Sequence, residues 1–135
     1  MVEIHIDYEG ELHANAVHVP SGAAVATDAP VDNRGRGESF SPTDLVATAL
    51  GCCVLTIMGI KAEDKGLDIA GTKVTVKKEM SSEPPRRISR LTLDITVPLP
   101  GDHADRKVLE ACAPTCPVFQ SIHPEMEKVM RFHWE

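Results

Sequence analysis

An α+β fold follows from the order of patterns along these 135 residues: three short alternating stretches, a long apolar helix, two more alternating stretches, short helices and a last strand. Alternation of apolar and polar residues marks the strands, and several agreeing helix-start signals at Ser41-Pro42 mark where that period changes. The length suits a single domain spanning 1–135, because a second core would need roughly 100 residues more.

The first alternating stretch is Val2 to Tyr8, and Glu9-Gly10 turns the chain. Leu12 to Val19 resumes it, Pro20-Ser21-Gly22 turns it again, and Ala23 to Thr27 is a third strand, so the opening predicts a β-meander. Asp28 to Ser41 is rich in Gly, Asp, Asn and Arg and has no period, which predicts a functional or mobile loop. Ser41 then suits an N-cap, Pro42 the first helical position, and Asp44 the acidic partner of a capping box. The helix should run to Asp64 or Lys65 and stop at Gly66. From Leu45 to Ile60 it is apolar or small on every side, with Gly51 and Gly59 inside. A helix apolar all round must be covered all round. A chain this short can hardly do that alone, so a second subunit is expected, making a homodimer.

Thr72 to Met80 and Ile88 to Val97 read as a long hairpin across the Pro84-Pro85 loop. Asp102 to Ala113 reads as a helix that Pro114 breaks, Cys116-Pro117 opens a short one through Phe119, and His123-Pro124 closes it. Met126, Val129, Met130, Phe132 and Trp134 mark a final strand, its two aromatics suited to anchoring the core.

Composition excludes several classes. With 42% apolar and 25% charged residues the chain is a globular protein rather than a disordered one. A net charge of −6 argues against nucleic acid as a partner. The nearest basic cluster, Lys73 to Lys78 with Arg86, Arg87 and Arg90, is interrupted by Glu79, Glu83 and Asp94 and reads as a solvated face. Met1 leads straight into an alternating stretch, so no signal peptide is expected. The uncharged run Leu45 to Ile60 falls short of the ~18 residues a membrane span needs. The expected location is therefore the cytoplasm, with no membrane partner. There, cysteines more often do redox chemistry or bind metal than form structural disulfides.

Four cysteines stand in two clusters, Cys52-Cys53 in the apolar helix and Cys112/Cys116 near the C-terminus. Cys116, just before a helix N-terminus, sits where backbone N–H groups favour a thiolate. Cys53 lies mid-helix, where apolar burial raises a thiol pKa, and becomes a nucleophile only if a cation reaches it. Arg34 and Arg36 in the loop are the available cations, with Glu38 and Asp44 to orient a guanidinium. On local physics alone Cys116 is the more acidic thiol, and the sequence leaves open which of the two is the nucleophile. The plainer reading makes all four cysteines buried fillers, and it weighs most for Cys52 and Cys112. Zinc is disfavoured: Cys112-x3-Cys116 with His123 lacks the usual spacing, and Cys52-Cys53 cannot easily share one metal. No metal or cofactor is expected. The histidines at 5, 13, 18, 103, 123 and 133 read as surface or half-buried residues.

Ser41-Pro42-Thr43-Asp44-Leu45, followed by Ala47, Ala49, Gly51 and Cys53, and then Cys116-Pro117-Val118, resembles the OsmC/Ohr family of osmotically inducible and organic-hydroperoxide-resistance proteins. The resemblance covers nearly the whole chain in order of elements. It implies an intertwined homodimer, with long central helices wrapped by antiparallel sheets and active sites at the subunit interface. It further implies that Cys53 attacks a hydroperoxide, that Cys116 resolves the product as a disulfide, and that Arg34, or Arg36 as second match, activates the thiol. Two branches of the family carry Glu directly after the proline, where this chain has Thr43. Asp44 follows one residue later, so the chain looks closer to a divergent branch.

The implied activity is thiol-dependent reduction of organic hydroperoxides to alcohols. Phe40, Leu50, Met58 and Phe119 are candidate apolar walls, and a dithiol, either a lipoylated protein or a small thiol, is the reductant. The alternative is a small-molecule-binding or redox-sensing relative without efficient peroxidase activity.

Overall fold

The computed structural model describes residues 1–135, which divide into two compact units, Met1–Val46 and Ala47–Glu135. In the first, strands β1 (Ile4–Gly10), β2 (His13–His18) and β3 (Ala24–Asp28) form an antiparallel meander in chain order, as the alternation predicts. Gly10, Glu11 and Leu12 all take positive φ to make the first turn tight. The second turn is closed by His18 N–H to Ala23 O at 2.8 Å and by Ser21 Oγ, which accepts from Ala23 N–H at 3.2 Å. Ala29–Phe40 is a compact loop around a short 3-10 turn at Val31–Asn33. Gly35 is obligatory in it, because a Cβ there would lie 1.7 Å from the Ala29 carbonyl oxygen.

Helix α1 spans Pro42–Asp64, and both ends form where the residues predict. Ser41 Oγ accepts from Asp44 N–H at 3.1 Å, and Asp44 Oδ2 accepts from Ser41 N–H at 3.0 Å, a reciprocal capping box. At the other end Gly66 takes a φ of +68°. Its N–H reaches Glu63 O at 3.0 Å and Leu67 N–H reaches Ala62 O at 2.8 Å, the paired bonds of a Schellman stop.

In the second unit β4 (Lys73–Met80), β5 (Ile88–Val97) and β6 (Glu127–Trp134) form a sheet with β5 central, antiparallel to β4 and parallel to β6. Leu91, Leu93, Ile95 and Val97 of β5 line one buried face. The buried stripe of α1 is Ala47, Leu50, Gly51, Val54, Met58 and Ala62. Gly51 lets the helix come close, since a Cβ there would sit 3.0 Å from a Val76 methyl and 3.5 Å from one on Val74. Helix α2 (Arg106–Cys112) begins later than the sequence suggests, the preceding residues forming turns, and adds buried Leu109; α3 (Pro117–Ser121) follows Cys116. Trp134 ties α2 to β6: its indole N–H donates to Glu110 Oε1 at 2.8 Å, and the Arg106 guanidinium lies over its ring.

The all-round burial expected of α1 is only half met within one chain. Cys52, Thr48, Ala49, Thr56 and Ile60 remain exposed opposite the buried stripe. One expectation needs correction: the whole of α1, unlike its uncharged run, is long and apolar enough to cross a membrane by length and composition alone. Core helices of soluble proteins pass the same test, and this one packs its buried stripe into the second unit.

Candidate functional site

Cys53 is half-buried on α1, and Cys116 is fully buried as the N-cap of α3. Folding brings these distant residues near each other, close enough for the Cys53 thiol to influence the Cys116 thiol. All four cysteines are free thiols, and the pair is neighbouring without being at disulfide distance.

Burial pushes the Cys116 thiol pKa up, against the opposing N–H groups of Phe119, whose bond to Sγ measures 3.3 Å, and of Val118. The Cys53 thiol adds to the rise. The helix-end position that favours a Cys116 thiolate on local grounds is therefore overridden by burial. A five-residue helix offers few N–H groups, and complete burial of the sulfur outweighs them.

The other two cysteines sit apart. Cys52 is exposed on α1. Cys112 is buried, donates to Leu109 O at 3.1 Å, and has its pKa raised by burial despite the charge of Lys61. It lies beside an open groove of about 450 Å³ lined by Ile57, Ile60, Lys61 and Val108. Of the four candidate apolar walls, Leu50 and Met58 have no exposed surface in the chain and serve the core instead. Phe119 is half-buried, with the Lys128 ammonium 4.8 Å from its ring centre. No group of three or more His, Cys, Asp or Glu side chains is gathered to hold a metal ion.

In the first unit, the Ala29–Phe40 loop displays both candidate cations. Arg34 follows the 3-10 turn with a φ of +70°, a left-handed conformation uncommon for a side chain of this size. It is exposed and makes no hydrogen bond or ion pair. Arg36 is engaged: its Nη2 meets Glu11 Oε2 of the β1–β2 turn at 2.5 Å. Asp44 carries the capping bond to Ser41, and Phe40 is half exposed.

The sequence reading missed one polar cluster in this unit. His13 and Asp28 face each other across β2 and β3, and Asp28 is buried. Asp28 is the last residue of β3 rather than the first of the loop that composition predicts. The β-meander register, counted from the Pro20–Gly22 turn, was the signal that pairs them.

Comparison with known proteins converges on one group. The family model described as OsmC-like protein matches residues 35–128. A solved structure from Psychrobacter arcticus, provisionally named an osmotic stress induced and detoxification response protein, is 46% identical with a TM-score of 0.92, covering 98% of this chain and 96% of that one. An organic hydroperoxide resistance protein OsmC from Legionella pneumophila is 13% identical with a TM-score of 0.79, covering 98% and 96%. One from Elizabethkingia anophelis is 14% identical with a TM-score of 0.79, covering 100% and 96%. At those identities the last two show a shared fold. No curated protein matches.

Proposed function

The chain belongs to the family of OsmC-like proteins, and we propose that it is a thiol-dependent peroxide reductase whose Cys53/Cys116 pair converts organic hydroperoxides to alcohols. The observation that carries this reading is the nearness of two thiols from α1 and the start of α3, close enough for Cys53 to raise the Cys116 pKa. Relatives of the same fold named for organic hydroperoxide resistance support the choice of substrate.

The Cys53 thiolate attacks the distal oxygen of ROOH. The O–O bond breaks, the alkoxide takes up a proton to leave as ROH, and Cys53 is oxidised to the sulfenic acid. The Cys116 sulfur then attacks the sulfenic sulfur, forming the disulfide as hydroxide leaves with the Cys116 proton as water. A cellular dithiol restores both thiols by exchange. The raised pKa of Cys116 fits the second role, because a resolving thiol reacts only after the first has been oxidised.

In this reading Arg34 is the cation that stabilises the Cys53 thiolate and Asp44 orients it. Arg34 is favoured over Arg36 because Glu11 already holds the latter. The exposed face of α1 and the exposed Ile4, Ile6 and Tyr8 support a homodimer in which a second copy covers them. The working location is the cytoplasm, where a dithiol pool is available.

The test is peroxide consumption by reduced protein with cumene hydroperoxide and a dithiol. Cys53→Ser should lower the rate by about a hundredfold or more, and Cys116→Ser should leave Cys53 open to over-oxidation. Equal rates in wild type and Cys53→Ser would end the reading. Peptide mapping after one equivalent of peroxide should find the Cys53–Cys116 link, whereas a ligand-binding relative would keep both thiols free.

A further inference from the structure

Asp28 is only 4% exposed, and its carboxylate is divided between two partners. Oδ1 meets Nδ1 of His13 at 2.5 Å, and Oδ2 accepts from the Glu38 backbone N–H at 3.1 Å. The Asp28 N–H donates to Phe40 O at 3.1 Å, so this one residue grips the far end of the Ala29–Phe40 loop through both main chain and side chain. Ala29 N–H to Leu12 O at 3.0 Å and Gly37 N–H to Ala29 O at 3.2 Å complete the fastening. The peroxide chemistry uses none of these groups.

His13 is the titratable part. It is half exposed, with Asp28 on one nitrogen and Glu9 Oε1 3.5 Å from the other, while the Glu38 charge acts from the loop. All three neighbouring charges are acidic. We propose that Asp28, bridging the His13 imidazole and the Glu38 N–H, is a positioning residue that fastens the Arg34 loop, and that the fastening is tightest while the imidazole is doubly protonated. The fastening itself stands on the first unit alone; only its consequence for turnover rests on the peroxidase reading.

The sign follows from the partners. The hydrogen bond to Asp28 raises the His13 pKa above its usual 6.5 against the opposing effect of burial, and the charges of Asp28, Glu9 and Glu38 add to the rise. A raised imidazole pKa gives stabilisation fully present below about 6.5 and lost as pH climbs through the higher folded value. Loss is partial, because a neutral ring protonated at Nδ1 still donates to Asp28.

The experiment is amide hydrogen exchange of the full chain, corrected for intrinsic rates, from about pH 6 to about pH 9. Glu38 protection in wild type should fall about fivefold across that range, with a midpoint matching the His13 titration seen by NMR. In His13→Gln it should be low and flat, and Leu93 in β5 should be unaffected by the substitution. The wild-type to His13→Gln ratio of kcat/KM for cumene hydroperoxide should shrink toward one over the same pH range. His13→Gln is preferred to Asp28→Asn because it empties no buried position. Glu38 protection that is identical in wild type and His13→Gln at every pH would overturn the proposal. A His13-dependent protection profile in a protein without Cys53-dependent turnover would uphold the fastening and remove only the peroxidase reading.

Discussion

The two units bury opposite chemistry. In Ala47–Glu135 the inside is aliphatic: Leu50, Val54 and Met58 from α1, Leu91, Leu93, Ile95 and Val97 from β5, and Leu109 from α2. In Met1–Val46 the only buried side chains are Asp28 and Ser41, both polar, while Ile4, Ile6 and Tyr8 are 57%, 67% and 69% exposed. Hydrogen bonds therefore specify the shape of the first unit without driving its formation. A three-stranded meander has marginal stability unless its apolar face is covered, since burial supplies about 25 cal/mol per Å². The second unit carries its own reason to fold; the first needs a cover.

Substitution in the aliphatic core is the largest expected effect. Leu93→Ala should cost about 2–5 kcal/mol in denaturant unfolding, because a fully buried side chain on the central strand leaves a cavity its neighbours only partly fill. A cost under about 1 kcal/mol would mean that this core is not what holds the second unit together. Next comes Ile6→Ala on the meander. With a second copy as cover, it should cost about 1–3 kcal/mol and weaken association in sedimentation, with a wild-type Tm that rises with protein concentration. In a chain that stays monomeric the same change should fall within about 0.5 kcal/mol, and the asymmetry would then be a property of the working protein.

Features decided within a few residues were legible in the sequence. Ser41, Pro42, Asp44 and Gly66 located both ends of α1, because capping depends on local hydrogen bonds that these residue types supply. The alternating stretches gave the six strands to within a few residues. Features decided across the fold were not legible. The parallel pairing of β5 with β6 depends on how α2 and α3 route the chain, which alternation does not encode. The Cys116 environment was not legible for the same reason, since its helix-end position is local and its burial is tertiary. His13 and Asp28 escaped because each was read singly, although the hairpin makes them register partners.

Asp44 offers the smallest effect on stability and the clearest separation of structure from chemistry. Its carboxylate already has a structural task, accepting the Ser41 N–H at the start of α1, and the proposed function gives it a second one, orienting Arg34. Asn keeps an oxygen able to accept that bond and removes the charge. Asp44→Asn should therefore keep the capping bond and lower stability by about 0.3–1 kcal/mol, the size of the attraction between a carboxylate and the helix N-terminus. Peroxide turnover should fall about tenfold if the guanidinium loses its alignment, and an added Arg34→Ala should lower it little further, because the two would act as one unit. Turnover that is unchanged in Asp44→Asn would confine this residue to capping the helix.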